Sequence, residues 1–150
     1  VFRSAVLALL DELFDTHHGM VLDEGTSLLP TLSSLSAEQA SRAIVGGGAS
    51  IAAHADHIRY YLDVLEAFVQ GRKFGPVDWG EIWRTVNTVT DDEWMGIQAR
   101  LMESYGRVKT MVMEKESWGG EREIGGAIGI VVHTAYHLGA IRQMIKVVGS

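Results

Sequence analysis

Six histidines are the residues of this chain best suited to chemistry, and four of them fall into two close pairs. His54 and His57 are three residues apart, and His133 and His137 are four apart. On a helix, residues four apart lie one turn above each other, so both imidazoles can point at one ion. Neutral imidazole binds zinc, nickel and other divalent transition metals. The spacing of His133 and His137 therefore predicts a metal site on the last helix.

The surroundings of this pair favour a metal over a solvent-exposed helix face. The two histidines continue an apolar stripe at three- and four-residue spacing, formed by Ile130, Ile141 and Met144. Burying two neutral imidazoles without partners costs free energy, and a metal ion would satisfy both through their lone pairs. One core histidine with a hydrogen-bonded neighbour is the alternative. The chain has no Cys, so further ligands must be histidine, carboxylate or water.

A third ligand is available on an earlier predicted helix. His54 and His57 diverge by about 60° around the helix axis, since each residue turns the helix by about 100°. The apolar periodicity places His54 beside Ile51 and Ile58, nearer the centre of the stripe, and periodicity alone favours His54. Asp56 could orient an imidazole as a hydrogen-bond acceptor, or be exposed to solvent.

The remaining histidines and carboxylates add little to this site. His17 and His18 are adjacent, so they would point in different directions on a helix, and we expect an exposed loop there. Di-iron bundles carry Glu-x-x-His motifs, but Ile130 and Thr134 stand three residues before the two last-helix histidines. One metal ion is therefore favoured over two.

The elements that must position these residues are predicted to be helices. Three- and four-residue apolar spacing, with no alternation typical of strands, predicts an all-α helix bundle. Ser50 is a candidate N-cap, Gly71 a helix stop, and Thr90 with Glu93 a capping box. Gly46-Gly47-Gly48 predicts a break, and residues 20–22 and 27–35 could form further helical turns. The predicted helices are residues 2–15, 49–70, 78–87, 90–116 and 121–148, of which 78–87 is a short helix within a long connection.

Composition limits the classes of function. A length of 150 residues is typical of one domain, so we expect a single domain over residues 1–150. The net charge of −6 and the scattered basic residues disfavour nucleic acid, which needs clustered Lys and Arg. The opening residues lack the basic region and cleavage motif of a signal peptide, and no apolar run approaches the ~20 residues of a membrane span. We therefore expect a cytoplasmic protein without membrane contact.

Two segments resemble the motifs of the DinB/YfiT-like superfamily of metal-dependent four-helix bundles. The segment HTAYHLGAIRQM, residues 133–144, is similar to the last-helix signature of that family, and SIAAHADHIRYYL, residues 50–62, is similar to its looser second motif. The order also agrees, from a glycine break through a first histidine helix, a long connection and a third helix to His-x-x-x-His. The resemblance covers essentially the whole chain.

The resemblance implies an up-down-down-up four-helix bundle that binds one divalent ion through three histidines. Zinc or nickel would suit such imidazole ligands. His133 and His137 match the family's last-helix ligands directly. Many members read Trp-His-x-x-His on helix two, with the second histidine as the ligand. That pattern assigns His57, although Ala53 replaces the Trp. The resemblance thus favours His57 and the periodicity favours His54, which stays the alternative ligand.

Three neutral histidines with open positions are typical of a catalytic metal site. Such an ion could lower the pKa of bound water for hydrolysis, or bind a low-molecular-weight thiol and direct it onto an electrophile. The resemblance implies the second, since characterised relatives include thiol-dependent S-transferases and isomerases. The sulfur must then arrive on the cofactor, because the chain has no Cys. Tyr61 or Tyr136 could assist proton transfer, although core filling explains both. Arg142 could meet an anion, although a solvated side chain is the better default.

A binding or structural bundle without turnover is the alternative to an enzyme. Relatives are often homodimers, so the resemblance implies a homodimer. The four tryptophans could supply its interface or simply fill the core: Trp79, Trp83, Trp94 and Trp118. A bundle whose histidines are merely packed, without a metal, is a third interpretation.

Overall fold

A computed structural model of the chain describes residues 1–44, 46 and 48–148, with the backbone alone for Val148. The residues that it describes form helices and no strand, apart from an isolated bridge between Ala43 and Ser50. The prediction of an all-α fold is confirmed. The helices are α1 (Phe2–Phe14), α2 (Leu28–Ser33), α3 (Ala37–Ser41), α4 (Ile51–Val69), α5 (Glu81–Thr85), α6 (Asp91–Glu114) and α7 (Glu121–Val148).

The four long helices, α1, α4, α6 and α7, pack around a common apolar core. Helix α4 packs against α6 and α7, and α1 packs against the same two helices. This arrangement is that of a helical bundle, with α2 and α3 covering part of it and α5 lying against α4. Each large side chain buried in such a core contributes about 1.5–3 kcal/mol relative to exposure. Its fully buried members include Leu10, Phe14, Leu32, Ile58, Leu62, Leu101, Ile130 and Ile141.

The ends of the histidine-bearing and neighbouring helices lie where their capping residues predict. The hydroxyl of Ser50 accepts a hydrogen bond from the amide of Ala53 (3.1 Å), so α4 begins at Ile51. The helix ends before Gly71, whose φ of 68° favours glycine. The amide of Thr90 donates to the Glu93 carboxylate (2.7 Å), and the amide of Glu93 donates back to the Thr90 hydroxyl (3.3 Å). The predicted capping box is therefore present.

The predicted helical turn at residues 20–22 is wrong. The amides of Met20, Val21 and Leu22 each donate to the buried carboxylate of Glu12, at 2.9–3.1 Å. These amides find their acceptor on α1 and not in a local helix. A buried carboxylate is tolerated here because several amides solvate it.

The structure differs from the sequence prediction at two other helices. The short helix in the long connection covers Glu81–Thr85 and not the whole of residues 78–87. Helix α3 was not predicted, although Ser36 and Gln39 form a capping box that the sequence carries as Ser-x-x-Gln. The predicted glycine break is outside the helices at Gly46 and Gly48, while Gly47 lies outside the described residues.

Helices α4 and α7 approach closely at a glycine. A Cβ added at Gly126 would overlap with the Cγ2 atom of Val69 and lie 3.3 Å from the ring of Phe68. One turn further along, a Cβ at Gly129 would lie 3.1 Å from the hydroxyl of Tyr61. The absence of a side chain at Gly126 therefore lets α7 come close to α4.

Helix α7 combines great length with an apolar composition. Its segment Glu121–Val147 is long and apolar enough to cross a membrane, judged by length and composition only. Core helices pass the same test, and α7 packs against α1 and α4. The absence of membrane contact stays a prediction.

Candidate metal centre

The packing of α4 against α7 brings the two histidine pairs together. His54 and His57 lie in the first two turns of α4, and His133 and His137 lie near the middle of α7. The side chains of His57, His133 and His137 each offer one ring nitrogen, and these three nitrogens lie within 4.8 Å of one another. His57 thus joins a pair of histidines that begins 76 positions further along the sequence.

The spacing of these nitrogens suits a single ion. The Nε2 atoms of His57 and His133 are 3.0 Å apart. Ligand nitrogens of a tetrahedral zinc lie about 3.4 Å apart, because each lies about 2.1 Å from the ion. The separations in this group, from 3.0 Å up to at most 4.8 Å, are close to that value. The group could hold a divalent metal ion, and its three-nitrogen donor set suits zinc or nickel.

His54 lies beside this group and not within it. Its Nδ1 atom is 3.0 Å from Nδ1 of His137, and the two rings are tilted by 54°. His57 is 7% exposed, whereas His54 is only partly buried. The structure thus gathers the residue favoured by the family resemblance, His57, and places the residue favoured by periodicity, His54, against one of the other histidines.

Burial keeps these imidazoles neutral. It lowers the pKa of His133 to about 3, with further lowering by His137 and His57. It lowers the pKa of His137 to about 4, helped by His57 and His54. The pKa of His57 is also lowered by burial, against an opposing effect of Asp56. Each ring therefore carries a free lone pair at neutral pH, which is the form that binds metals.

The outer nitrogens of two of these rings are unusual. His57 Nδ1 and His133 Nδ1 are buried and have no hydrogen-bond partner within the described part of the chain. Histidines that bind metals generally donate this second N–H to a carboxylate, carbonyl or water. Asp56 is buried but does not serve this purpose, because neither of these nitrogens bonds to it. Its carboxylate accepts a hydrogen bond from Arg59 (2.9 Å). The expectation that Asp56 orients an imidazole is therefore wrong, as is solvent exposure.

Aromatic rings enclose the histidines. The ring of Tyr61 stacks on His133 with centroids 3.5 Å apart and planes 6° apart. From the connection between α4 and α6, Trp83 lies over His57 at 4.4 Å, and Trp79 lies 5.4 Å from Tyr61. These rings exclude water and maintain the low polarity that disfavours protonation.

The position of Trp79 and Trp83 was not predicted from the sequence. Both were expected at an interface or in the core, and they instead flank the histidine group. Their four-residue spacing does not explain this, because Trp79 lies before the short helix α5 and only Trp83 lies on it. Trp94 is buried, with its indole N–H donating to the Leu35 carbonyl (3.0 Å), and Trp118 packs on Phe2.

The other candidate residues lie less favourably for chemistry. Burial raises the pKa of Tyr61, so its phenol is a proton donor and not a base at neutral pH. Tyr136 is 73% exposed, and its ring contacts that of His137 in a T-shaped arrangement with centroids 5.0 Å apart. Arg142 is half-buried and makes no hydrogen bond or ion pair to another residue that the structure describes. His17 and His18 are exposed and lie outside the helices, as expected, with His18 bonded to Asp11 (2.7 Å).

Comparisons with family models, curated proteins and solved structures found no match to this chain. The likeness to the DinB/YfiT-like superfamily therefore stays a prediction from the two histidine motifs.

Proposed function

We propose that this protein binds one divalent metal ion, zinc or nickel, through His57, His133 and His137. The observation that carries the proposal is the approach of three neutral imidazole nitrogens to within 4.8 Å. A protein core gains little by gathering three imidazoles and leaving Nδ1 of His57 and of His133 without partners, whereas an ion would bind one lone pair from each of the three rings. The aromatic enclosure strengthens electrostatic attraction between an ion and its ligands, because it lowers the local dielectric constant.

The family assignment and the up-down-down-up order of the long helices are part of this proposal. Helices α1 and α6 run in opposite directions. The Lys109 ammonium donates to Asp11 (3.0 Å), while Phe14, further along α1, stacks on Tyr105, which comes earlier on α6 (centroids 4.2 Å apart).

Helices α4 and α6 run in the same direction, since Ser104 donates a hydrogen bond to Asp63 (2.6 Å) and Arg107 donates one to Glu66 (3.2 Å). Helices α4 and α7 oppose each other, because His54 meets His137 while Val69 meets Gly126. These pairings support the bundle topology that the DinB/YfiT-like motifs imply.

As an enzyme, the protein would be a metal-dependent thiol S-transferase. A metal at three histidines keeps a position for an exogenous ligand, and it would supply Lewis acidity that favours the thiolate form of a thiol. The chain's own residues bind the ion, exclude water with Trp83, and pack His133 with Tyr61. The thiol would be a small molecule, because the chain has no Cys of its own.

A metal-stabilised homodimer without turnover is the second candidate. It is favoured by an exposed apolar stripe at four-residue spacing on α7, formed by Ile128, Val132 and Tyr136. Such a stripe on a helix of a soluble bundle is suited to contact with another apolar surface.

Turnover of zinc-loaded protein distinguishes the two candidates. Purified protein, loaded with zinc or nickel, is assayed with a panel of low-molecular-weight thiols against electrophiles, and with ester substrates for hydrolysis. We expect conjugation that disappears on chelation, returns with metal, and is lost in the His133→Ala variant. No metal-dependent turnover across the panel, together with a stable dimer in analytical ultracentrifugation, would favour the second candidate.

A further inference from the structure

The contact between His54 and His137 joins a residue outside the proposed ligand set to one inside it. Their Nδ1 atoms lie 3.0 Å apart, which is a hydrogen-bond distance. A neutral imidazole has one N–H and one lone pair, so one ring donates at this contact and the other accepts. The direction of the bond decides which nitrogen of His137 keeps its lone pair.

Only one direction is compatible with a metal held by the other nitrogen of His137. If Nδ1 of His137 carries the proton and donates it, Nε2 of that ring retains its lone pair. If Nδ1 of His137 accepts instead, its Nε2 carries the proton and binds no ion. A hydrogen bond from a ligand histidine to a neighbouring acceptor fixes its tautomer and its ring orientation.

We propose that His54 is a positioning residue, which accepts the Nδ1–H of His137 and thereby presents the Nε2 lone pair of His137 to the metal. This inference rests on the proposed metal site. Among the three proposed ligands, within the residues that the structure describes, His137 alone has a hydrogen-bond partner on Nδ1, because Nδ1 of His57 and of His133 has none.

The placement of His54 supports this role. Its backbone amide donates a hydrogen bond to the Ser50 carbonyl (3.1 Å) in the first turn of α4, which fixes the position of its Cα atom. The Trp83 ring contacts its imidazole in a T-shaped arrangement, with centroids 5.2 Å apart and planes at 69°. His54 is therefore held from its backbone and from its ring, as an acceptor for a fixed tautomer must be.

Two substitutions separate positioning from ligation and from simple packing. His54→Leu fills a similar volume without an acceptor, and His54→Asn retains an oxygen near the position of Nδ1. We expect zinc affinity, measured by competition with a chromogenic chelator, to fall about 10- to 100-fold in the Leu variant. The Asn variant should recover most of that loss, and both should still bind one zinc per chain.

Nitrogen NMR of histidine-labelled, zinc-free wild type reports the tautomer directly and does not depend on any variant folding. We expect a protonated Nδ1 at His137, and a mixture of tautomers in the Leu variant. An Nε2–H at His137 in wild type would overturn the proposal, as would unchanged zinc affinity in the Leu variant. Loss of all zinc from both variants would instead make His54 a ligand. If wild type binds no zinc while the Nδ1–H is present, the metal site fails and the hydrogen bond stands.

Discussion

Adjacent glycines on α7 should respond to alanine with opposite signs. Gly126 is buried where α7 meets α4, and its added Cβ would overlap with Val69, a side chain with no exposed surface. Gly125 is exposed, and nothing lies within 4 Å of the Cβ that alanine would add there. Alanine is favoured over glycine within a helix by about 1 kcal/mol at either position.

The packing term decides the sign at the buried position. Overpacking a well-filled core costs about 1–3 kcal/mol, and the overlap with Val69 places Gly126→Ala in the upper part of that range. After the helix gain, we expect a net loss of about 1–2 kcal/mol. Gly125→Ala should gain about 1 kcal/mol, since it has no packing cost. In a domain of this size, 1 kcal/mol shifts Tm by about 2–4 °C.

Urea and thermal unfolding followed by circular dichroism measure both variants on the same scale. We expect Tm to fall by about 2–8 °C for Gly126→Ala and to rise by about 2–4 °C for Gly125→Ala. Equal stabilisation of the two variants would refute the close approach of α4 and α7 at Gly126. That approach also sets the distance between the two helices that carry the histidines, so its refutation would extend to the site.

Two further predictions concern Glu12 and Trp83. Burial alone would raise the pKa of Glu12. The hydrogen bonds from the amides of Leu22 and its neighbours outweigh that effect, so the pKa of Glu12 in the folded protein lies below the ordinary 4.5. The ionised carboxylate stabilises the fold fully above pH 4.5, and this stabilisation is lost as the pH falls through the folded pKa. The Tm difference between wild type and Glu12→Gln should therefore shrink in acid. A constant difference from pH 7 to pH 3 would contradict this. Trp83→Ala should release zinc to a chelator faster in stopped-flow absorbance, because Trp83 covers His57, and an unchanged rate would argue against a covering role.

Sequence signals predicted those parts of the fold that depend on neighbouring residues. The capping box at Thr90 and the N-cap at Ser50 were predictable because each bond spans three residues. The segment at residues 20–22 was not, because its amides bond to Glu12, a partner on another element. Local periodicity contains no term for such a distant carboxylate.

The candidate site divides in the same way. His133 and His137 were predictable because one helix turn separates them. The choice between His54 and His57 was not settled by periodicity, because α4 is buried on two sides, against α6 and against α7. The centre of such a stripe faces between α6 and α7, and not towards the histidine group. The cover by Trp83 depends on the path of a long connection, which residue spacing does not determine.

Metal stoichiometry tests the central claim most directly. Protein stripped with a chelator, reloaded with zinc and freed of excess by gel filtration is analysed by inductively coupled plasma mass spectrometry. We predict one zinc per chain in wild type and in His17→Ala, an exposed control, and much less than one in His133→Ala and His137→Ala. The same zinc content in wild type and in the His133 and His137 variants, or none in wild type, would contradict the proposed metal centre.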